Sequence, residues 1–303
     1  MILSIHPGRL ILLGALCVVA LFFIWRWWSH SRVESGGADK PRADDFAVGF
    51  VTNFFDTLGI GSFAPTTAIF KFQHRMPDEH IPGTLNAGHA LPTVAQALVF
   101  IAIVSVGFTT LISMIAAAVL GAWLGAGVVT RLPRRAIQIG MGVALLIAAS
   151  LFVLANLDLI PAGGEARELG GSVLAFAVLV NFVLGAIMTL GVGLYAPCLI
   201  LCSLLGLNPV AAFPIMMGSC AFLMPPAGLR FIARGRYSHG AGLGLALGGI
   251  PAVLIAAYVV RSLPLVWLRW LVVIVVLVAA AMMLHSALAR PAAAAVPAGG
   301  VTP

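Results

Sequence analysis

The sequence predicts an all-α polytopic membrane protein: two inverted repeats, each with a broken or re-entrant helix plus three transmembrane helices, behind an extra N-terminal anchor helix. Three observations carry this. Hydrophobic residues make up 61% of the 303 and charged residues 9%, with mean hydropathy +1.08. A soluble domain carries about 25% charged residues, so this chain cannot cover its surface with water-compatible groups. Apolar stretches of roughly 20 residues recur, each long enough to cross the hydrocarbon as a helix, and the two-residue alternation of a barrel is missing. Finally, Thr57–Pro65 (TLGIGSFAP) returns 132 residues later as Thr189–Pro197 (TLGVGLYAP), and Val128–Pro133 (VVTRLP) returns as Val259–Pro264 (VVRSLP) at an offset of 131. Two matches at nearly one offset mark a duplication, and the duplicated element is an apolar segment interrupted by glycine and proline.

Residues 1–28 read as a membrane anchor. Arg9 precedes the apolar run Leu10–Trp28, as in a signal peptide, but the run ends in Trp25-Arg26-Trp27-Trp28 rather than a small-x-small cleavage site. Aromatic side chains there suit a membrane–water interface. Residues 29–45 form a polar linker.

The first repeat occupies 46–156. Its opening element, Phe46–Phe72, contains Gly59, Gly61 and Pro65, which break a helix into halves too short to span. Spans at roughly 84–105, 107–129 and 135–156 follow. Residues 157–170 form an extracytoplasmic loop. The second repeat, 171–289, copies the order: a broken element at about 171–207, then spans near 208–230, 240–261 and 266–288. The tail 290–303 is low-complexity and reads as disordered.

Charge sets the expected orientation. If each broken element returns the chain to its starting side, each repeat crosses an odd number of times and the second is inverted. Thirteen of the 17 basic residues then fall in the cytoplasm, and Arg9, Arg167, Arg261 and Arg269 outside, as the positive-inside rule prefers. The N-terminus is then outside and the C-terminus inside. The net charge of +7 belongs to these loops, so nucleic acid is not an expected partner. Cys17, Cys198, Cys202 and Cys220 all lie in apolar segments and read as small hydrophobes; neither a metal nor a cofactor is implied.

The residues at the breaks resemble the sulfite exporter TauE/SafE family: a Gly-x-Gly interruption in the first helix of each half, Ala-Pro after it, and a G-A-x-x-G-A stretch at Gly121–Ala126. The resemblance covers about residues 46–288. Members commonly carry a longer glycine run, where this chain has Gly61-Ser62-Phe63 and Gly193-Leu194-Tyr195. The resemblance implies a carrier in the bacterial cytoplasmic membrane for small anions such as sulfite, sulfonates or related sulfur compounds.

Physical chemistry supplies a matching site. A helix that begins inside the membrane presents unpaired N–H groups and a partial positive charge, which an oxyanion can accept in place of water. Half-helices starting after Gly61 and Gly193 would aim such ends at the midplane. The candidate binding residues are Asn53, Thr57, Gly59, Gly61, Ser62, Thr66, Thr67, Asn181, Thr189, Gly191, Gly193 and Tyr195. The competing reading is that the glycines only allow close helix packing; on the binding reading, valine at Gly61 or Gly193 abolishes binding, whereas Gly248 tolerates one with at most a packing disturbance.

Asp56, whose counterpart is Met188, is a candidate proton carrier, since intramembrane carboxylates are costly and usually functional. The alternative places it near the cytoplasmic water layer, capping a half-helix or pairing with Lys71. His89 is the second candidate for proton traffic, against a structural hydrogen-bonding role. No GxxxxGK[ST] loop is present, which argues against ATP-driven transport. A secondary transporter of a small anion, working outward and without an enzymatic step, is the expected function, with a homo-oligomer as a possible assembly. The alternatives are a non-transporting membrane scaffold and, more remotely, an intramembrane enzyme using Cys198 or His89.

Overall fold

The computed structural model describes residues 7–33, 39–159, 164–191 and 193–259, with isolated positions between 270 and 288. Arg261, Arg269, most of the expected span 266–288 and the tail lie outside the described residues. Helix α1 (Pro7–Val33) begins on a proline, whose missing N–H costs nothing at a first helical position, and continues past Trp28. Its buried Leu12, Leu16, Phe23 and Trp27 form one stripe, facing α5 (Ala90–Ile103) and α10 (Pro209–Ile232). Leu21, Phe22, Trp25 and Trp28 on its other faces stay exposed, which suits lipid rather than water.

The first broken element is α2 (Ala43–Thr57) and α3 (Phe63–Phe72). Between them Gly59 and Gly61 both take φ +88°, a region that side chains with a β-carbon rarely enter. Pro65 falls within the first turn of α3, where no donor is needed. The second break repeats this: α8 (Gly171–Met188) ends, Gly191 takes φ +94°, and α9 (Tyr195–Leu204) starts with Pro197 in its first turn. The segment between is filled by a 3-10 turn (Asp78–His80), α4 (Ile81–Gly88), α5, α6 (Phe108–Val129) and α7 (Arg134–Asn156); α10 and α11 (His239–Val259) follow α9. Among the described residues six helical stretches are long and apolar enough to cross a membrane: Pro7–His30, Asp78–Ile103, Phe108–Val129, Gly171–Met188, Pro209–Ile232 and His239–Ala257.

Both broken elements turn back. Beyond the end of α3, Arg75 donates from Nε and Nη2 to the two carboxylate oxygens of Asp45, in the first turn of α2, at 2.9 and 2.8 Å. Lys71 pairs with Asp78, which also accepts from Gln138 of α7 at 2.7 Å. Arg236 donates to the Leu132 carbonyl at 2.8 Å, and Ser238 to Asp39 at 2.6 Å. These bonds gather residues 39–45, 71–78, 132–138 and 236–238 at one end of the bundle. At the other end the loop before α8 meets the end of α9: Asn208 N–H donates to the Ala166 carbonyl at 2.7 Å, and Gly107 N–H to that of Arg167 at 2.7 Å. Arg9 reaches the Val106 carbonyl there at 2.8 Å.

Helices pack across the two halves. The longest contacts join α2 to α11 and α8 to α6, and glycine makes both close. A β-carbon at Gly49 would sit 2.6 Å from the Leu245 backbone, and one at Gly125 would sit 2.6 Å from the Ala186 carbonyl. Gly121–Ala126, the G-A-x-x-G-A stretch, thus serves helix packing. So does Gly248, which abuts the backbone of Phe46. The expectation that it would accept valine is corrected here: the neighbour is main chain and cannot move aside. Helix α10 lies in the middle of the bundle, buried along most of its length, against α1, α4, α5, α6 and α9.

Candidate functional site

The two breaks meet at one small cavity of about 10 Å³, close to the smallest space that holds a single water. The first break lines it with Asp56, Gly61, Ser62 and Phe63, and the second with Met188, Gly193, Leu194 and Tyr195. These are four matched pairs at the 132-residue offset, so the wall is built twice from the same stretch of sequence. Thr93 of α5 and Cys220 and Met224 of α10 complete it. A larger cavity, about 390 Å³, lies between α1, α5 and α11, lined by Trp27, Trp28, His239 and aliphatic side chains. Neither break borders it.

Helices α3 and α9 both start at the small cavity. The first intrahelical bonds are Thr66 N–H to the Ser62 carbonyl and Cys198 N–H to that of Leu194, each 3.0 Å. The N–H groups ahead of Thr66, on Phe63 and Ala64, precede that bond and lack a helical acceptor. Two positive dipole ends therefore border one space, where a small anion would be favoured.

Asp56 brings a negative charge to the same wall. It is 2% exposed, and no Lys, Arg or His forms an ion pair with it among the described residues: Lys71 is committed to Asp78. Ser62, just ahead of α3, donates to Asp56 from its main-chain N–H and its hydroxyl, so the carboxylate caps that half-helix as the alternative reading expected. Its neighbour is an amide. Gln96 Nε2 donates to Asp56 Oδ2 at 2.8 Å and to Thr57 Oγ1 at 3.0 Å, while the Tyr195 hydroxyl donates to Gln96 Oε1. One side chain of α5 thus links the acid of the first repeat to the phenol of the second.

Of the other residues singled out from the sequence, several stitch helices together. His89 contacts Asn53 Oδ1 through Nδ1 and Thr66 Oγ1 through Nε2, both at 3.1 Å. Because Asn53 Nδ2 is donated to the Gly49 carbonyl, its oxygen faces the ring, so Nδ1 carries the proton and Nε2 accepts from Thr66. This group ties α2, α3 and the α4–α5 junction and does not border the cavity. Thr57 donates to the Asn53 carbonyl at 2.8 Å. Thr67 is buried with no partner for its hydroxyl among the described residues. Thr189 donates to Ala186 at 2.7 Å; Asn181 donates to the Met114 carbonyl at 2.7 Å and to Ser219 at 3.2 Å. Gly59 and Gly191 lie against Phe213 and Met141, away from the cavity.

Thr93, Gln96, Cys220 and Met224 are not among the candidate binding residues read from the sequence, where Cys220 stands only as a small hydrophobe. Thr93 and Gln96, polar and three apart on one helical face, offered a signal within an apolar segment. Cys220 and Met224 offered none. Among the described residues no His, Cys, Asp and Glu side chains group to hold a metal.

No curated protein and no solved structure matches this chain. A family model does, over residues 1–152, half of the sequence, and its description is Sulfite exporter TauE/SafE. That match takes in the anchor helix and the first broken element, and with the six apolar spans it makes this a membrane protein of a transporter family. The chain belongs to the sulfite exporter TauE/SafE family.

Proposed function

We propose that this protein is a secondary transporter that carries a small sulfur-containing anion, such as sulfite or a sulfonate, outward across the bacterial cytoplasmic membrane. One observation supports this above the others: two helix N-termini, one from each half, begin at the same small cavity. Their N–H groups and the Thr93 hydroxyl offer an oxyanion donors from more than one side, and Tyr195 borders the same space. The cavity holds about 10 Å³, so binding requires α3 and α9 to part, and the matched breaks give each membrane face a hinge of its own. Asp56 repels an anion while ionised, which makes a proton the natural companion of the substrate. The basic end of the bundle, with Lys71, Arg75, Arg131 and Arg236, faces the cytoplasm on this reading, and Arg9 faces outside.

Purified protein in proteoliposomes tests it, with uptake and efflux followed for sulfite, sulfate, thiosulfate and short sulfonates. Saturable movement of at least one, accelerated by an inward or outward proton gradient, is expected. If none moves faster than in empty liposomes, the transporter reading is wrong for these substrates.

A further inference from the structure

Gln96 uses both ends of its amide, and the choice of ends is dictated by Asp56. An ionised carboxylate only accepts hydrogen bonds, so the NH₂ end of Gln96 must face Asp56 and Thr57, at 2.8 and 3.0 Å. The carbonyl end is then left to face Tyr195, whose hydroxyl donates to it. Tyr195 lines the cavity, yet its proton is held by Gln96 and not offered to the space.

Protonation reverses this. A neutral Asp56 has an O–H that needs an acceptor, and the terminal torsion of a glutamine is soft and nearly two-fold. Half a turn of the amide brings Oε1 to Asp56 and the NH₂ to the Tyr195 oxygen. The Tyr195 hydrogen is then released by Gln96, and what surrounds it is Thr93, a neutral Asp56 that accepts more weakly than the carboxylate, and the cavity. The groups that face Asp56 are Gln96 from α5, Ser62 from the break, Tyr195 from α9 and Cys220 from α10. None is a cation, and His89 is engaged by Asn53 and Thr66.

We propose that Gln96 is a positioning residue that turns the Tyr195 hydroxyl toward the anion when a proton binds Asp56. The inference rests on the anion-binding reading above. A single proton then does two things at once: it removes a negative charge from the wall, and it adds an O–H donor to the site. Proton and anion become mutually required without any ion pair.

The test measures binding of sulfate, thiosulfate and methanesulfonate, which keep their charge from mildly acidic to mildly alkaline pH, to the purified full chain. Tyr195→Phe is expected to weaken binding about tenfold at the acidic end, the effect of losing a hydrogen bond to a charged group, and hardly at all at the alkaline end. In a Gln96→Leu background the amide no longer holds the hydroxyl and Asp56 and Thr93 are the partners left beside it, so the difference in Tyr195→Phe cost between the two ends should shrink. Each variant is checked for monodispersity and thermal unfolding; Gln96→Met replaces Gln96→Leu if the latter does not fold. A Tyr195→Phe loss that is equal at every pH in the parent, or no loss at all, overturns the proposal while leaving the anion site intact. If the parent binds none of the three anions at any pH, it is the anion site that fails.

Discussion

Gly61 lies against Tyr195, and its counterpart Gly193 lies against Phe63, the counterpart of Tyr195. A β-carbon added at Gly61 would come within 4.0 Å of the Tyr195 Cβ, and one at Gly193 within 3.8 Å of the Phe63 Cβ. Each break thus seats its glycine on the first residue of the other half's short helix. Both distances are ordinary contacts, so space alone does not forbid an alanine.

Gly193→Ala is therefore the clean probe of the site. It should fold, with Tm within a few degrees of the parent, and lose anion binding by tenfold or more, because its methyl group enters a cavity that holds about 10 Å³. Gly61→Val combines the same intrusion with φ +88°, costs about 1–2 kcal/mol from backbone strain alone, and should lose both stability and binding. Gly14→Ala, with nothing within 4 Å of the new atom, replaces Gly248 as the control. Unchanged binding in folded Gly193→Ala would make the breaks packing devices.

Asp56→Asn retains an oxygen for Gln96 and removes the charge. Accumulation driven by a pH gradient should vanish in liposomes, while exchange of substrate for substrate persists. If accumulation still follows pH, Asp56 is structural.

His89 predicts the opposite pattern. His89→Ala leaves Asn53 and Thr66 without their buried partner, at a cost of about 1–3 kcal/mol for each group so stranded, visible as a lower Tm. Transport by the protein that remains folded should keep the parent's pH profile. A shifted profile would return His89 to proton traffic.

Arg75 and Asp45 form a buried pair, with side chains 3% and 0% exposed. Arg75→Met strands the carboxylate and should destabilise by about 3–5 kcal/mol; adding Asp45→Asn should recover part of it. The hydrogen bonds from Arg75 to Asp45 hold the guanidinium above its ordinary value. A value raised on folding gives stability that is present at all pH below the unfolded value. On the arginine's account, then, this clamp does not weaken anywhere in the working range, and thermal scans of the parent and Arg75→Met should differ by the same amount at mildly acidic and mildly alkaline pH.

For sidedness, single cysteines at 132 and 235 should be labelled from the cytoplasm and one at 165 from outside. The bond from Arg236 to the Leu132 carbonyl already puts the first two at one end. Labelling of 132 and 235 from opposite faces would break the scheme.

The sequence made the breaks readable because glycine, proline and spacing are local signals, and duplication printed them twice. Ser62 and Tyr195 were within reach for that reason, and Asp56 because a carboxylate in an apolar segment stands out by itself. Thr66 and Asn53 look equally suitable in one dimension, yet Thr66 sits three residues into α3, and both it and Asn53 turn toward His89. Helical rotation, not residue type, decides which hydroxyl meets the cavity. Gln96 joins residues 40 and 99 positions away, and nothing local records such a meeting.

The glycine-lined contacts of α2 with α11 and of α8 with α6 also constrain how the molecule can be made. The first broken helix leaves the ribosome long before its principal neighbour, α11, has been synthesised, and until then the Gly49 face has only lipid against it. Neither half can mature by itself, so a truncated chain ending before residue 171 should insert yet remain a target for membrane proteases. On the inverted-repeat reading, a half-length chain could bury these faces only against a copy threaded the other way through the bilayer. On that reading, carrying both halves in one chain spares each the search for a partner and sets which copy points up.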